Sequence, residues 1–515
     1  MPPSPSESAV VLDGASLGLD GLEAVARRHR PVALAPSARD AVRRARAVVD
    51  DAVGRGLVIY GVTTGFGNFA DVVIPADRLR ELQLNLVRSH SAGVGRILGE
   101  TETRALMLLR ANVLAKGFSG VRPETLDLLV EMLNRGVHPV IPSQGSVGAS
   151  GDLAPLAHLA LALIGEGTCA HAGRLLTGAQ ALAAVDLRPV VLEAKEGLAL
   201  INGTQLMTAV AGLALAEAWR LTRTADVLGA LTLDALKGTD VAFDPRIHAA
   251  RPHPGQLASA RNLRKLLAGS PIRESHRDCG KVQDAYSLRC IPQVHGATRD
   301  ALSYVSAVVA IEMNAATDNP MVFAESGDLL SGGNFHGQPV ALGADVLTIA
   351  MAELGAISER RTERLVNPAL SGLPAFLTRE GGLQSGLMMA HVTAAALASE
   401  SKSLSHPASV DSIPTSANKE DHVSMGATAA WKAARVVENT RRVLAIEALA
   451  ACQALEFLKP LETSAPLHAA YRRLREVVPP CDQDRVLSPD IETVAELVRE
   501  GALLDAAGTI CGTLE

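Results

Sequence analysis

The feature that most restricts the fold is a series of long, weakly charged stretches beyond residue 204. The spacing of their apolar residues predicts helices over roughly 205–236, 296–316, 341–366, 383–403 and 423–457. Between Val443 and Leu455, for example, the only charged residue is Glu447. Helices this long and this apolar bury most of their surface against one another, as in a helix bundle.

The composition favours the same fold class. Apolar residues make up 48% of the chain but aromatic residues only 3%, so the core must consist mainly of Leu, Val, Ile and Ala. Ala and Leu favour helices. We therefore predict a mainly α protein, with a long-helix bundle core and a mixed, loop-rich N-terminal region that carries the active site. The expected divisions are this N-terminal region over 1–204, the bundle over 205–459 and a C-terminal helical cap over 460–515.

Charge and cysteine content exclude several classes of protein. The 49 Lys and Arg residues against 55 Asp and Glu residues give a net charge of −6, so there is no basic surplus to bind nucleic acid or an anionic membrane. The six cysteines form no Cys-x-x-Cys pair, which argues against a disulfide framework or a structural zinc site and fits a reducing cytoplasm. No His-Glu-x-x-His or similar cluster occurs, so we expect no metal.

One uncharged stretch is about as long as a membrane span. It runs from Gly197 to Ala216 and contains Asn202, Gln205 and Thr208. Polar side chains are costly in lipid. The stretch therefore predicts a buried helix, and we expect no membrane segment.

Function in such a scaffold is expected in the loops that interrupt it. The candidate loops are Tyr60–Gly67, Gly148–Asp152, Gln283–Arg289 and Asn418–His422. The apolar run at 57–60 predicts a short strand ahead of the first loop. Asp152 is predicted to cap a helix that begins at Leu153.

The Gly148–Asp152 loop allows more than one interpretation. It matches neither the Gly-x-Ser-x-Gly elbow of hydrolases nor a phosphate-binding motif, and an ordinary turn before a buried helix is one interpretation. Its tripeptide Ala149-Ser150-Gly151 allows another, because such small residues let the backbone fold back on itself. Attack of the Gly151 amide nitrogen on the Ala149 carbonyl, with loss of water that includes the Ser150 hydroxyl, would leave a ring with an exocyclic methylene. That group is an electrophile, which no ordinary side chain supplies.

The segment Gly148–Leu156 resembles the signature of the aromatic amino acid ammonia-lyases. The resemblance covers about residues 55 to 460, and it is specific because several further blocks occur in order, although each alone is weak evidence. These blocks are Tyr60–Gly67, Leu200–Gln205, Tyr286–Cys290, Thr317–Pro320, Gly332–His336 and Glu420–Met425.

The resemblance implies a prosthetic group and an assembly. Members of the family form 4-methylidene-imidazol-5-one autocatalytically from the residues that correspond to Ala149, Ser150 and Gly151, and they need no external cofactor. This group takes up the substrate amine and makes it a better leaving group. Members are homotetramers with active sites shared between chains, so we expect the isolated monomer to be inactive.

Two positions imply the substrate. Where members specific for phenylalanine or tyrosine carry Phe-Leu or His-Leu, this chain has Ser89-His90, as histidine-specific members do, and Glu420 stands where the others typically have Gln. The resemblance thus implies deamination of L-histidine to trans-urocanate and ammonia. A tyrosine ammonia-lyase or tyrosine 2,3-aminomutase is the alternative. Lys419 is a departure, since many bacterial histidine-specific members have Gln there.

The resemblance also implies roles in the reaction. Tyr60 is the first candidate for the base that removes the β-proton of the substrate. Glu420 is either the rival base or, together with His90, holds the substrate imidazole. The sequence favours the second role for Glu420 but does not decide between them.

The other candidates would bind and orient the substrate. Arg289 is expected to clamp the carboxylate, Asn202 and Gln283 to orient the substrate and the ring carbonyl, and Tyr286 to assist the formation or polarity of the prosthetic group. Phe335 is expected near the substrate, although a core position explains it equally well. Two other classes of protein are open: a helical scaffold that has lost catalysis, and a fumarase-like lyase, which lacks the prosthetic group.

Overall fold

The computed structural model describes residues 8–515, and most of these residues lie in α-helices. In chain order the helices are α1 (Leu19–Arg28), α2 (Pro36–Gly54), α3 (Leu79–His90), α4 (Glu100–Ala115), α5 (Pro123–Asn134), α6 (Leu153–Leu163), α7 (Gly178–Ala183), α8 (Glu196–Ile201), α9 (Gln205–Ala235), α10 (Pro245–Ala249), α11 (Pro254–Leu267), α12 (Pro271–Glu274), α13 (Tyr286–Arg289), α14 (Ile291–Glu312), α15 (Gln338–Val366), α16 (Pro368–Ser371), α17 (Met388–Leu404), α18 (Gly426–Glu456), α19 (Ala465–Arg475), α20 (Ser488–Glu500) and α21 (Ala502–Cys511). The five predicted long helices are α9, α14, α15, α17 and α18. The prediction of a mainly α fold is confirmed.

Short strands make up a small part of the described chain. They are β1 (Val10–Leu12), β2 (Val32–Leu34), β3 (Val94–Ile97), β4 (His138–Pro139), β5 (Pro142–Gln144), β6 (Thr168–His171), β7 (Arg174–Thr177), β8 (Met321–Phe323) and β9 (Asp328–Leu330). β1 pairs with β2 in parallel, while β3–β5, β4–β6–β7 and β8–β9 are antiparallel. Sheets this small cannot form a core of their own, so the helices supply it.

The chain folds into two compact units, and each is discontinuous in sequence. The first contains the described residues up to Leu213, Ser306–Asp345 and Pro407–Trp431, and the second contains Ala214–Val305, Val346–His406 and Lys432–Glu515. All the strands named above lie in the first unit. The three-part division at 204 and 459 stays a prediction.

In the second unit, long helices meet around two buried carboxylates. Asp226 on α9 accepts a hydrogen bond from His295 on α14 at 2.8 Å. Glu447 on α18 accepts from Arg361 on α15 at 2.5 Å and from Thr232 on α9 at 2.8 Å. All five side chains are buried. Four of the predicted long helices therefore pack together as a bundle.

Two segments bear on the question of a membrane span. The stretch 197–216 is buried, as predicted, but it forms two helices, because α8 ends at Ile201 and α9 begins at Gln205. The described helix α15 is long and apolar enough to cross a membrane, yet 67% of its most apolar window is buried inside the protein. A core helix has the same property.

Candidate active site

A cavity of about 1250 Å³ lies in the first unit. The predicted site residues that line it are Tyr60, His90, Ala149, Ser150, Asn202, Phe335 and Glu420. These residues come from six separate segments of the chain, so their proximity is a product of the fold. Gly151 flanks the cavity in the loop that also carries Ser150, without lining it.

Tyr60 reaches the cavity from a turn, so the strand predicted for this run was wrong. The chain turns because the Thr63 hydroxyl donates to Leu57 O at 2.6 Å and accepts from the Ile59 N–H at 2.9 Å. The phenol oxygen of Tyr60 accepts a hydrogen bond from the Gly67 N–H at 3.2 Å. Because that bond uses a lone pair of the oxygen, the phenol proton is available to another partner.

His90 ends α3, and a neighbouring carbonyl defines the state of its ring. Nδ1 lies 2.9 Å from Leu86 O, and because a carbonyl only accepts, Nδ1 carries the hydrogen and Nε2 keeps its lone pair. Burial lowers the pKa of His90, while the bond to Leu86 and the nearby Glu420 carboxylate act in the opposite direction. At neutral pH the ring is therefore uncharged, and its Nε2 is a hydrogen-bond acceptor.

Glu420 is held at both carboxylate oxygens. Its Oε1 accepts from the Ser150 hydroxyl at 2.8 Å, and its Oε2 accepts from the Thr415 hydroxyl at 2.5 Å. Thr415 and Glu420 also pair as a short antiparallel bridge. The bridge closes the loop between them and orients the carboxylate towards the serine of the Ala-Ser-Gly tripeptide.

The loop that carries Ser150 is held by three segments that are distant in sequence. Gly148 O accepts from the Gly337 N–H at 3.1 Å and from the Ser424 hydroxyl at 2.9 Å. At the other end of the loop, the Asp152 N–H donates to Gly203 O at 2.7 Å. The loop is thus tied to two of the sequence blocks that carry the family resemblance, through Gly203 and Ser424, and to the residue that follows a third, Gly337.

Asp152 is the N-cap residue of α6, as predicted, but its side chain does not cap the helix. Its carboxylate makes no hydrogen bond to the first turn of α6. It accepts instead from the Met207 N–H at 2.9 Å and from the Ser146 hydroxyl at 2.8 Å. Asp152 therefore joins the loop to the beginning of α9. Burial raises the pKa of Asp152 to about 6, although these hydrogen bonds lower it.

Three predicted site residues, Gln283, Tyr286 and Arg289, belong to the second unit and are not among the residues that line this cavity. Tyr286 and Arg289 begin and end the short helix α13, and the Arg289 guanidinium carbon lies 4.5 Å from the centre of the Tyr286 ring. Nε of Arg289 is buried and has no hydrogen-bond partner among the described residues. The roles expected for these three residues stay predictions.

Comparison with known proteins adds to this geometry. A family model described as aromatic amino acid lyase matches residues 17–476. The chain belongs to the aromatic amino acid lyase family. The fold and the blocks around the cavity are therefore those of an aromatic amino acid lyase, and the resemblance seen in the sequence is confirmed.

Individual aromatic amino acid lyases match over almost the whole chain. A histidine ammonia-lyase of Koribacter versatilis is 59% identical over 512 residues, which cover 97% of this chain and 99% of the relative. A histidine ammonia-lyase of Anaeromyxobacter sp. is 58% identical over 503 residues, which cover 96% and 99%. The solved structure of histidine ammonia-lyase from Trypanosoma cruzi matches with a TM-score of 0.91 and 46% identity, covering 98% and 95%. That of a tyrosine aminomutase from Streptomyces globisporus matches with a TM-score of 0.93 and 40% identity, covering 98% and 99%.

Aromatic amino acid lyases use the 4-methylidene-imidazol-5-one group, and the loop around Ser150 fits it. Gly151 has a φ of +74°, and any side chain there would overlap the Gly203 carbonyl. A side chain at Gly148 would likewise overlap the Ser424 hydroxyl. The structure therefore requires glycine at both positions, which leaves the Gly151 amide nitrogen unhindered for ring formation.

Sequence reasoning gave no role to three residues that line the cavity, Asn319, His336 and His422. The two imidazole rings are stacked with their centres 5.9 Å apart, and His336 Nε2 lies 3.1 Å from His422 O. All three residues stand inside the sequence blocks that this lyase shares with its family, which was the signal that could have found them. Phe335, for which a core position was the alternative, lines the cavity.

Proposed function

We propose that this protein deaminates L-histidine without oxidation to trans-urocanate and ammonia, the first step of histidine degradation. The observation that carries the proposal is the position of the Glu420 carboxylate, 2.8 Å from the side-chain oxygen of Ser150 in the Ala-Ser-Gly tripeptide, in a cavity that His90 also lines. Relatives that are 52% to 59% identical and are named histidine ammonia-lyase support the choice of substrate.

The polar side of the cavity suits an imidazole ring. His90 offers the lone pair of Nε2 to a ring N–H, and the Glu420 carboxylate lies close enough to influence the pKa of His90. A phenyl ring would leave both groups without a partner. An unpaired buried polar group costs about 1–3 kcal/mol, so this pair of residues selects against phenylalanine.

The reacting side of the cavity requires an electrophile and a base. The 4-methylidene-imidazol-5-one group formed from Ala149, Ser150 and Gly151 supplies an electrophile for the substrate amine, which then leaves more easily. Tyr60 lines the cavity and, in its deprotonated form, removes the β-proton of the substrate and becomes the phenol. The Gly67 N–H, which donates to the same oxygen at 3.2 Å, stabilises the negative charge of that form. This assignment leaves Glu420 to hold the substrate ring.

The remaining polar groups bind the amino acid end of the substrate. Arg289 does not line this cavity, so in the shared sites proposed below the Arg289 of another copy of the chain forms a bidentate pair with the substrate carboxylate, a task for which a guanidinium is suited. Asn202 and Gln283 orient the substrate and the carbonyl of the prosthetic group. Tyr286 assists the formation or polarity of that group. The orphaned Nε of Arg289 and the orphaned Oδ1 of Asn202 support these roles, because a ligand would satisfy them.

A tyrosine ammonia-lyase or tyrosine 2,3-aminomutase is the second candidate. It is favoured by the structural match to a tyrosine aminomutase, whose fold is as similar as that of the histidine ammonia-lyase. The substrate would then present a phenol hydroxyl to His90 and Glu420.

We further propose a cytoplasmic homotetramer with active sites shared between chains. Apolar side chains exposed on the long helices support this assembly, since burial against other copies would remove them from water. They include Tyr304 and Ile311 on α14, Leu342 and Ile349 on α15, and Met389 on α17. All six cysteines are free, as expected in a reducing compartment.

The test is a panel of L-histidine, L-tyrosine and L-phenylalanine, with products followed by ultraviolet absorbance and chromatography. Urocanate from histidine alone is the expected result, with loss of activity in Ser150→Ala. Coumarate or β-tyrosine from tyrosine would establish the second candidate instead. No product from any of the three would indicate a scaffold without catalysis, and full activity of Ser150→Ala would indicate a lyase that works without the prosthetic group.

A further inference from the structure

A buried ion pair lies behind the Asn202 side of the cavity. The Lys195 ammonium is 3.0 Å from the Asp318 carboxylate, and both side chains are fully buried. Neither residue lines the cavity, and neither has a role in the proposed chemistry. Because desolvation of two charges offsets much of their attraction, a buried pair is weak evidence of stabilisation. Stabilisation alone therefore does not explain why this ion pair is present, and its place next to the cavity suggests a role in the site.

The pair and its sequence neighbours hold both ends of α8. Lys195 immediately precedes this six-residue helix, and Asn202 immediately follows it. Asp318 binds Lys195, while the carbonyl of the next residue, Asn319, accepts from Asn202 Nδ2 at 3.3 Å. Asp318 Oδ1 also accepts from the Asn319 N–H at 2.7 Å, which fixes the direction of this dipeptide. Two consecutive residues thus anchor the start and the end of α8.

The backbone at Lys195 adopts a conformation that a lysine does not favour by itself. Lys195 has a φ of +70°, a left-handed conformation in a residue other than glycine. Such a conformation is unfavourable for a residue that has a Cβ atom, and it persists where the surroundings impose it. At the other end of the helix, the buried Arg110 donates to Asn202 O at 2.9 Å. Both ends of α8 are therefore held by buried charged groups.

The bond to Asn319 defines which atom of the Asn202 amide remains for a ligand. A backbone carbonyl only accepts, so the amide nitrogen of Asn202 must face Asn319 O. Asn202 Oδ1 is then directed elsewhere, and it is buried without a hydrogen-bond partner among the described residues. Asn202 lines the cavity, and the atom it leaves free is an acceptor. The complementary donor on an α-amino acid is its ammonium group.

We propose that Lys195 and Asp318 are positioning residues, which hold the Asn202 amide with Oδ1 as the acceptor for the α-ammonium group of the substrate. The inference rests on the proposed deamination of an α-amino acid, but it does not depend on which ring the amino acid carries. Lys195 and Asp318 act through Asn202 and touch no substrate atom.

The test is a cycle that combines Lys195→Met/Asp318→Asn with Asn202→Ala. The paired substitution removes one positive and one negative charge, so the net buried charge is unchanged and side-chain size is nearly kept. Steady-state kinetics is measured with the amino acid that the wild-type enzyme deaminates. We expect the paired substitution to lower kcat/KM about tenfold or more in the otherwise wild-type enzyme. In the Asn202→Ala background the same substitution should lower kcat/KM less than about twofold, because residues that act through Asn202 lose their effect once its amide is removed. An equal loss in both backgrounds would overturn the proposal.

Binding gives a readout that is independent of turnover. In a Ser150→Ala background, calorimetry compares L-histidine with 3-(imidazol-4-yl)propanoate, which lacks the amine. We expect the paired substitution to weaken binding of L-histidine about tenfold and to leave the amine-free ligand within about twofold. Equal weakening of both ligands would show a general structural effect and contradict the proposal.

A matched control is the equally buried pair of Arg361 and Glu447 in the second unit. Arg361→Met/Glu447→Gln should lower stability and leave kcat/KM within about twofold, as expected for a pair with no contact to Asn202. If the Lys195/Asp318 variant does not fold, the milder Lys195→Gln takes its place in the same cycle with the same expectations. A wild-type enzyme that deaminates none of L-histidine, L-tyrosine and L-phenylalanine refutes the proposed function. An active wild-type enzyme in which the paired substitution has the same effect with and without Asn202→Ala refutes only this inference.

Discussion

At the residue scale, the chemistry of the cavity depends on which atoms its neighbours leave free. Leu86 O determines the tautomer of His90, so that Nε2 is an acceptor. Asn319 O determines the orientation of the Asn202 amide, so that Oδ1 is an acceptor. In each case a backbone carbonyl, which can only accept, settles an ambiguity that the side chain alone leaves open. The free acceptors suit the N–H donors of an imidazole ring and an ammonium group.

The first prediction separates the two roles considered for Glu420. Glu420→Gln should raise KM for L-histidine about tenfold with a smaller change in kcat, because ring binding is weakened while an acceptor for Thr415 remains. Tyr60→Phe should instead lower kcat about a hundredfold or more with little change in KM. Steady-state kinetics of both variants is the measurement. The reverse pattern, with kcat lost in Glu420→Gln and KM changed in Tyr60→Phe, would make Glu420 the base.

The second prediction concerns Asp152 and pH. Burial raises the pKa of Asp152 to about 6 from an ordinary 3.8, so the folded state binds a proton more tightly than the unfolded state. This stabilising contribution is fully present below about pH 4 and is lost as the pH rises through 6. The difference between these two pKa values corresponds to a change of about 3 kcal/mol in the free energy of unfolding.

Urea unfolding of the wild type and Asp152→Asn between pH 4 and pH 7 measures this effect. The free energy of unfolding of the wild type should fall relative to that of Asp152→Asn as the pH rises. Parallel curves for the two proteins across the range would show that Asp152 does not titrate as stated.

At the scale of elements, a break between two helices places a site residue at the cavity. Between α8 and α9 the chain passes through Gly203, whose φ is +149° and where a side chain would overlap Gln205 and Arg110. This break turns one apolar stretch into two helices and places Asn202 at the cavity. Apolar composition alone does not show such a break, because the residues on both sides of it are equally buried.

The third prediction tests how the long helices are joined. Glu447 on α18 accepts from Arg361 on α15, and both side chains are fully buried. Glu447→Ala should lower the free energy of unfolding by about 3–5 kcal/mol, because it leaves the guanidinium charge buried without a partner. Chemical denaturation is the measurement, and Arg361→Met/Glu447→Gln is the control, for which a smaller loss is expected. A loss below about 1 kcal/mol for Glu447→Ala would show that the pair contributes little.

At the scale of the whole molecule, the long helices carry exposed apolar side chains, which support the proposed homotetramer. Ile349 on α15 is 48% exposed and Ile311 on α14 is 71% exposed. Burial of such side chains against another copy would remove them from water. The proposed homotetramer would cover them.

The fourth prediction follows from that assembly. Ile349→Glu should dissociate the oligomer and abolish activity while the helical content of the chain is retained, because a charge at an apolar interface is not paired. Analytical ultracentrifugation, circular dichroism and an activity assay are the measurements. Leu175→Glu, in the small sheet of β6 and β7 and 72% exposed, is the control that should leave both assembly and activity unchanged. A fully active monomer would contradict the shared-site proposal.

Much of the fold could be predicted from local pattern. The long helices were predicted to within a few residues at most ends, because apolar periodicity over many turns reflects a continuous buried face. The short strand at 57–60 was wrong, because the Thr63 hydroxyl binds the backbone of that run and turns it. Asp152 stands at the N-cap of its helix as predicted, but its carboxylate is bound by Met207 and Ser146 instead of by that helix. A local pattern cannot reveal partners that are distant in sequence.

By itself the sequence determined the helical class, the family and the identity of the candidate site residues, since these depend on residue types and their order along the chain. Only the tertiary structure decided which of them meet in one cavity, which nitrogen of His90 and which atom of the Asn202 amide are free, and that Lys195 and Asp318 lie behind that amide. Those properties depend on hydrogen bonds that close in three dimensions. Asp318 and Lys195, for example, are 123 positions apart in the chain and 3.0 Å apart in the fold.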